Sequence, residues 1–152
     1  MGLVQKIKYY LFNAFREVFM YHHSSLEFRA KLFASVISAN PNAGDCEFEM
    51  VRQNAEQIYS DKTRSATLEL TVREMVTKVV DDNGLNNDDL IEDIIRDLKD
   101  IPRYAKKIDT AMLYSLLECH HDEATAIYQT RIIELFERQH DEYSKLDPLG
   151  HL

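Results

Sequence analysis

The sequence predicts an all-α protein, a single-domain bundle of about seven helices with an internal pseudo-repeat of helix-loop-helix units. Three observations predict it. Apolar residues recur with the 3.6-residue period of a helix and almost nowhere with the period of 2 of a strand. Only 4 Gly and 3 Pro punctuate 152 residues, a length suited to one domain with a full core. Two stretches can also be laid on each other. With Asp45 against Asp122, Val51 meets Tyr128, Ala55 meets Ile132, Ile58 meets Leu135 and Tyr59 meets Phe136. With a second loop three residues shorter, Leu32, Phe33, Ser35, Val36 and Ile37 meet Met112, Leu113, Ser115, Leu116 and Leu117. Two copies are too few for a solenoid and read as a pseudo-symmetric pair inside one domain.

Each helix has its own stripe. Leu3, Ile7, Leu11, Ala14, Phe15 and Val18 mark an N-terminal helix over residues 1–20. Ser24 with Glu27 forms a capping box for the second. Its Leu26, Phe28, Ala30, Leu32, Phe33, Ala34, Val36 and Ile37 spread round most of the circumference, which predicts a central, buried helix. Asn40 to Gly44 breaks the chain, and Asp45 is placed to cap a third helix with Phe48, Val51, Ala55, Ile58 and Tyr59 inward. Leu68, Val72, Met75, Val76 and Val79 line a fourth, stopped at Asp81-Asp82-Asn83-Gly84. Asn87 is placed to cap a fifth, burying Ile91, Ile94, Ile95 and Leu98. Pro102 opens a sixth, where a missing N–H is tolerated, carrying Ala105, Ile108, Met112 and Leu116. Asp122 caps a seventh with Tyr128, Ile132, Leu135 and Phe136 inward. The domain proper is expected over residues 24–143, with a frayed tail over 144–152.

Composition narrows the function classes. A net charge of −8 argues against nucleic acid, whose phosphates attract cations. Cys46 and Cys119 lack metal or redox spacing, and two thiols in a domain this large suggest a reducing compartment, hence the cytoplasm, rather than a disulfide framework. No apolar run reaches membrane-spanning length, and the first twenty residues lack a signal-peptide pattern. Lys6 stands where an N-terminal acylation signal needs Ser or Thr. P-loop, GxGxxG and GxSxG motifs are absent from the sequence.

Metal chemistry has one main candidate, the cluster Glu118, His120, His121, Asp122 and Glu123, whose imidazoles and carboxylates suit zinc, nickel or manganese. The first loop adds Asp45, Glu47 and Glu49. A simpler reading stands beside both: acids at a helix N-terminus and histidines at a helix C-terminus satisfy caps and dipoles. An EF-hand fails, because Gly84 at position 6 puts Val79 and Leu90 at ligand positions 1 and 12. The Glu-x-x-His pairs Glu118/His121 and Glu137/His140 have di-iron spacing. They are separated by about fifteen residues of helix, roughly 22 Å, which one metal pair does not span.

The N-terminal segment differs in charge, with Lys6, Lys8 and Arg16 against Glu17. With Tyr9 and Phe12 it could lie on a membrane surface or an acidic partner, or pack on its own acidic domain.

The paired helix, acidic loop, helix units, the segment Ile94-Ile95-Arg96-Asp97-Leu98-Lys99-Asp100-Ile101-Pro102 and the apolar stretch Met75 to Val80 resemble the tellurite-resistance TerB-like family over about residues 26–138. The resemblance implies a non-enzymatic stress-response module of about seven helices, with divalent cations at acidic loops and with protein or membrane-associated partners. The family's Ala-x-x-Asp-Gly loop text is replaced here by Asn40 to Gly44 and by Glu118 to Glu123. It therefore carries the fold and assigns no ligand by identity.

The expectation is a cytoplasmic, non-catalytic interaction module with protein partners and no assigned cofactor, a divalent cation being the one the acidic loops could bind. The alternatives are a metal-dependent enzyme using Glu118, His121 and Asp122, and a peripheral membrane adaptor using Lys6, Lys8, Tyr9, Phe12 and Arg16. Partner, metal and oligomeric state are not written in the sequence.

Overall fold

A computed structural model describes residues 24–81 and 86–145. The N-terminal helix with Lys6, Lys8, Tyr9, Phe12 and Arg16, the capping side chain of Ser24, the turn at Gly84 and residues 146–152 lie outside the described residues. Among those described there are helices and no strands: α1 (Ser24–Ser38), α2 (Asp45–Ile58), α3 (Lys62–Asp81), α4 (Asn87–Asp100), a 3-10 segment (Pro102–Lys107), α5 (Thr110–Tyr114), a second 3-10 segment (Ser115–Cys119) and α6 (Glu123–Ser144). The all-α, single-domain bundle is as expected.

α1 is the axis of the fold. Leu26, Phe28, Ala30 and every residue from Leu32 to Ile37 are buried, because α3, α4, α6 and the first 3-10 segment all pack on it. One apolar core runs from Leu26 through Leu68, Leu90 and Leu98 to Phe136. A helix surrounded in this way must satisfy its last carbonyls without water. Asn87 Nδ2 donates to the Ser35 carbonyl at 3.0 Å, Gln129 Nε2 to Val36 at 3.0 Å and the Asn40 N–H to Ile37 at 2.9 Å. α3 buries Thr67 and Thr71 by turning each hydroxyl onto the carbonyl four residues back, at 2.8 and 2.6 Å, a local solution open to threonine.

Three sequence expectations are corrected. Asp45 is the first residue of α2 and Gly44 its N-cap. The Gly44 N–H donates to Glu47 Oε2 at 2.8 Å, so the carboxylate of the third helical residue caps the turn. Asn86, not Asn87, caps α4, accepting from the Asp89 N–H at 3.0 Å, while Asn87 serves α1. The sixth helix is broken into three pieces: Pro102 opens a 3-10 turn, and Asp109 then accepts from the Met112 N–H and starts a new helix.

The two repeat copies share chemistry as well as pattern. Ser35 Oγ donates to the Leu32 carbonyl, and its counterpart Ser115 donates to Met112. In the following helices the sequence register slips by one residue. Glu47, Val51, Asn54 and Ala55 are buried in α2, and Thr125, Gln129, Ile132 and Ile133 in α6. The matching N-caps are therefore Gly44 and Asp122. Tyr128, predicted to face inward, is 44% exposed as a result. Each copy also sends an amide into the other, Asn54 Nδ2 to Ser115 Oγ at 3.0 Å and Gln129 to Val36.

Candidate functional site

The acidic loops are knitted together. Cys46, in the first turn of α2, and Cys119, ending the second 3-10 segment, form a disulfide with their Cα atoms 5.7 Å apart. This corrects the reading of two free thiols and withdraws the cysteine argument for a reducing compartment, since disulfides persist in oxidising ones. No helix among the described residues is long and apolar enough to cross a membrane.

The predicted ligands beside the disulfide have structural partners. Glu47 is buried and accepts from Asn40 Nδ2 at 3.0 Å as well as from Gly44. Asp122 Oδ2 accepts from the Thr125 hydroxyl at 2.6 Å and the Thr125 N–H at 2.9 Å. Those bonds, the hydroxyl first, hold its pKa below the ordinary aspartate value. His120 Nε2 lies 2.7 Å from Gln129 Oε1, and its Nδ1 accepts from the Asp122 N–H at 3.1 Å. With Gln129 Nε2 turned to Val36, this pattern assigns the hydrogen of His120 to Nε2. Glu118, His121, Glu123, Asp45 and Glu49 are exposed or at the surface. Among the described residues, no three His, Cys, Asp or Glu side chains are grouped to hold a metal ion. The predicted ligands are neighbours in sequence, but their oxygens and nitrogens do not converge.

A second candidate lies along α1, away from the predicted ligands. A cleft of about 110 Å³ opens between α1, the end of α2, the first 3-10 segment and α5. Its floor is Leu32, Phe33, Ile58, Met112 and Leu113. Leu32 and Phe33 are the repeat counterparts of Met112 and Leu113, so the cleft lies on the seam between the two copies. Its mouth carries Arg29, Lys106 and Lys107, with Asp109 as the one acid of the lining.

Local packing places these cations. The Phe28 and Tyr104 rings stack at 5.1 Å, pinning the 3-10 segment to α1, and Ala105 and Ile108 bury its inner side. The outer side then presents Lys106 and Lys107. Arg29 Nη1 donates to Tyr59 Oη at 3.1 Å, and its guanidinium lies 5.4 Å from the Tyr59 ring centroid, which fixes it at the mouth. Asp109 is occupied as the cap of α5. Burial lowers the Lys107 pKa, and the positive charges of Arg29, Arg103 and Lys106 lower it further.

Sequence reasoning missed this site, although a signal existed. Arg103, Lys106 and Lys107 put three cations in five residues of a chain with net charge −8. Arg29 joins them only through the fold.

Compared with family models, with curated proteins and with solved structures, the chain matches none of them.

Proposed function

We propose that this chain is a non-catalytic helical binding module that takes anionic ligands in the cleft between α1 and α5. One observation carries the proposal: Arg29, Lys106 and Lys107 line the same cleft as Leu32, Phe33 and Leu113, in a chain of net charge −8. Like charges crowd together at a cost, and functional sites are places where like charges are brought together. A bound anion would relieve the repulsion and be held by the local field.

The non-catalytic part is supported by the occupation of the rival groups. His120, Asp122 and Glu47 each hold structural hydrogen bonds, and both cysteines are consumed in one disulfide. A binding role agrees with what the TerB-like resemblance implies, with the ligand's charge reversed from cation to anion.

The test is a thermal-shift panel on the purified chain, since a ligand that binds only the native state raises the melting temperature. Phosphate, citrate and organic carboxylates at constant ionic strength should raise it in the wild type and fail to do so in a Lys106→Glu, Lys107→Glu variant. A selective rise with calcium, magnesium, manganese, nickel or zinc, abolished by His121→Ala, would return the site to the acidic loops.

A further inference from the structure

We infer that the ligand of this cleft is a small amphipathic carboxylate, with an apolar body of no more than about five carbons seated between Leu32 and Met112 and its carboxylate between Arg29 and Lys107. The inference rests on the cleft being the binding surface and adds the ligand's chemistry. Size limits the body. The cavity is about 110 Å³, somewhat below the roughly 150 Å³ that accommodates benzene in an apolar protein cavity. Polarity separates its two ends. Leu32, Phe33 and Leu113 are buried and present only carbon to the interior, so a fully hydrated inorganic anion would leave that part of the cleft unfilled. The mouth offers a guanidinium with five N–H donors, one of them engaged by Tyr59. Beside it stands the Lys107 ammonium, and the two form a donor set matched to carboxylate oxygens.

Hexanoate, 1-hexanol and acetate separate the contributions in amide NMR titrations of the full chain at fixed ionic strength. Hexanoate should move the resonances of Lys107, Met112 and Leu113, with acetate and 1-hexanol each at least about tenfold weaker. A Lys107→Gln variant, folded and melting no lower than wild type, should weaken hexanoate by about tenfold. If acetate equals hexanoate and both are lost in the variant, anion binding at the cleft stands and the apolar body falls. If 1-hexanol equals hexanoate and the variant changes neither, the carboxylate assignment is overturned. If none of the three moves these resonances, the inference and the cleft as binding surface fall together.

Discussion

The two charged regions of this molecule treat their charges in opposite ways. At the loop end, Glu47, His120 and Asp122 are each spent on a backbone N–H or a neighbouring side chain, and a disulfide clasps the loops. At the cleft, Arg29, Lys106 and Lys107 face one opening, and Arg103 adds to the repulsion felt by Lys107. The loop end has the residue types that suggest metal chemistry, yet the bonds there account for its shape. The cleft has residue types that attract no notice in a sequence, yet the fold crowds them.

If the loop end is structural, its largest expected effect is on stability. The disulfide spans a sequence separation of 73. On the chain-entropy model, closing a loop of that size removes about 4 kcal/mol of unfolded-state freedom. The paired substitution Cys46→Ser, Cys119→Ser should lower the denaturation midpoint accordingly, while anion affinity at the cleft stays the same. Equal midpoints would mean that the two sulfurs do not staple the native state. Lost anion affinity in a folded variant would join the two regions that the comparison separates.

Gln129 is the next largest. It is fully buried and bridges the Val36 carbonyl of α1 to His120. Gln129→Met keeps the volume and removes two hydrogen bonds, leaving the Val36 carbonyl with the Ala39 N–H alone, a loss of about 1 kcal/mol for each bond removed. His121→Ala, one residue from His120 but exposed, should stay within about 0.5 kcal/mol. Urea denaturation of the two variants side by side checks the contrast, and an equal loss in both would break it.

Much of the helical frame was legible because helix period and cap chemistry are local. The buried character of α1 followed from apolar residues on all its faces. Asp122 reads correctly as a cap because Thr125 follows at the required spacing. The repeat register slipped for a physical reason. The inward positions of α2 and α6 include Glu47, Asn54, Thr125 and Gln129, which a hydrophobic pattern assigns to the surface. Glu47 and Thr125 are buried where they close the N-termini of their own helices, whereas Asn54 and Gln129 are buried because polar groups of other elements bond them, a demand invisible from the chain alone. The broken sixth helix has a local origin instead, since Asp109 takes an N–H that a continuous helix would bond to a carbonyl. The disulfide and the cleft depend on pairs brought together by tertiary packing. Of the cleft, only the basic run Arg103 to Lys107 was written locally.

A smaller effect sharpens the loop side by pH. The Thr125 hydroxyl and N–H hold Asp122 ionised and lower its folded pKa. A carboxylate with a depressed folded pKa contributes stability above the ordinary aspartate value, and this is lost as pH falls through the folded pKa. Wild type should therefore melt above Asp122→Asn near neutrality, and the gap should close on acidification. A gap independent of pH would show that the cap acts through geometry alone.

The smallest effect has the opposite sign and concerns the cleft. Burial first, then Arg29, Arg103 and Lys106, lower the folded pKa of Lys107. Between that value and the ordinary lysine pKa the unfolded chain binds more protons, so wild-type stability rises with pH through this window. Below it the repulsion is fully present. Lys107→Gln should consequently be more stable than wild type near neutrality, by about 0.5 kcal/mol or less because solvent screens a half-exposed charge. The advantage should fade in alkali. A saturating anion supplies the missing counter-charge, so it should reverse the order and leave wild type the more stable of the two. Melting curves of both proteins with and without hexanoate read this directly. If the order does not change, Lys107 contributes no binding free energy and the cations at the mouth are a solvated surface.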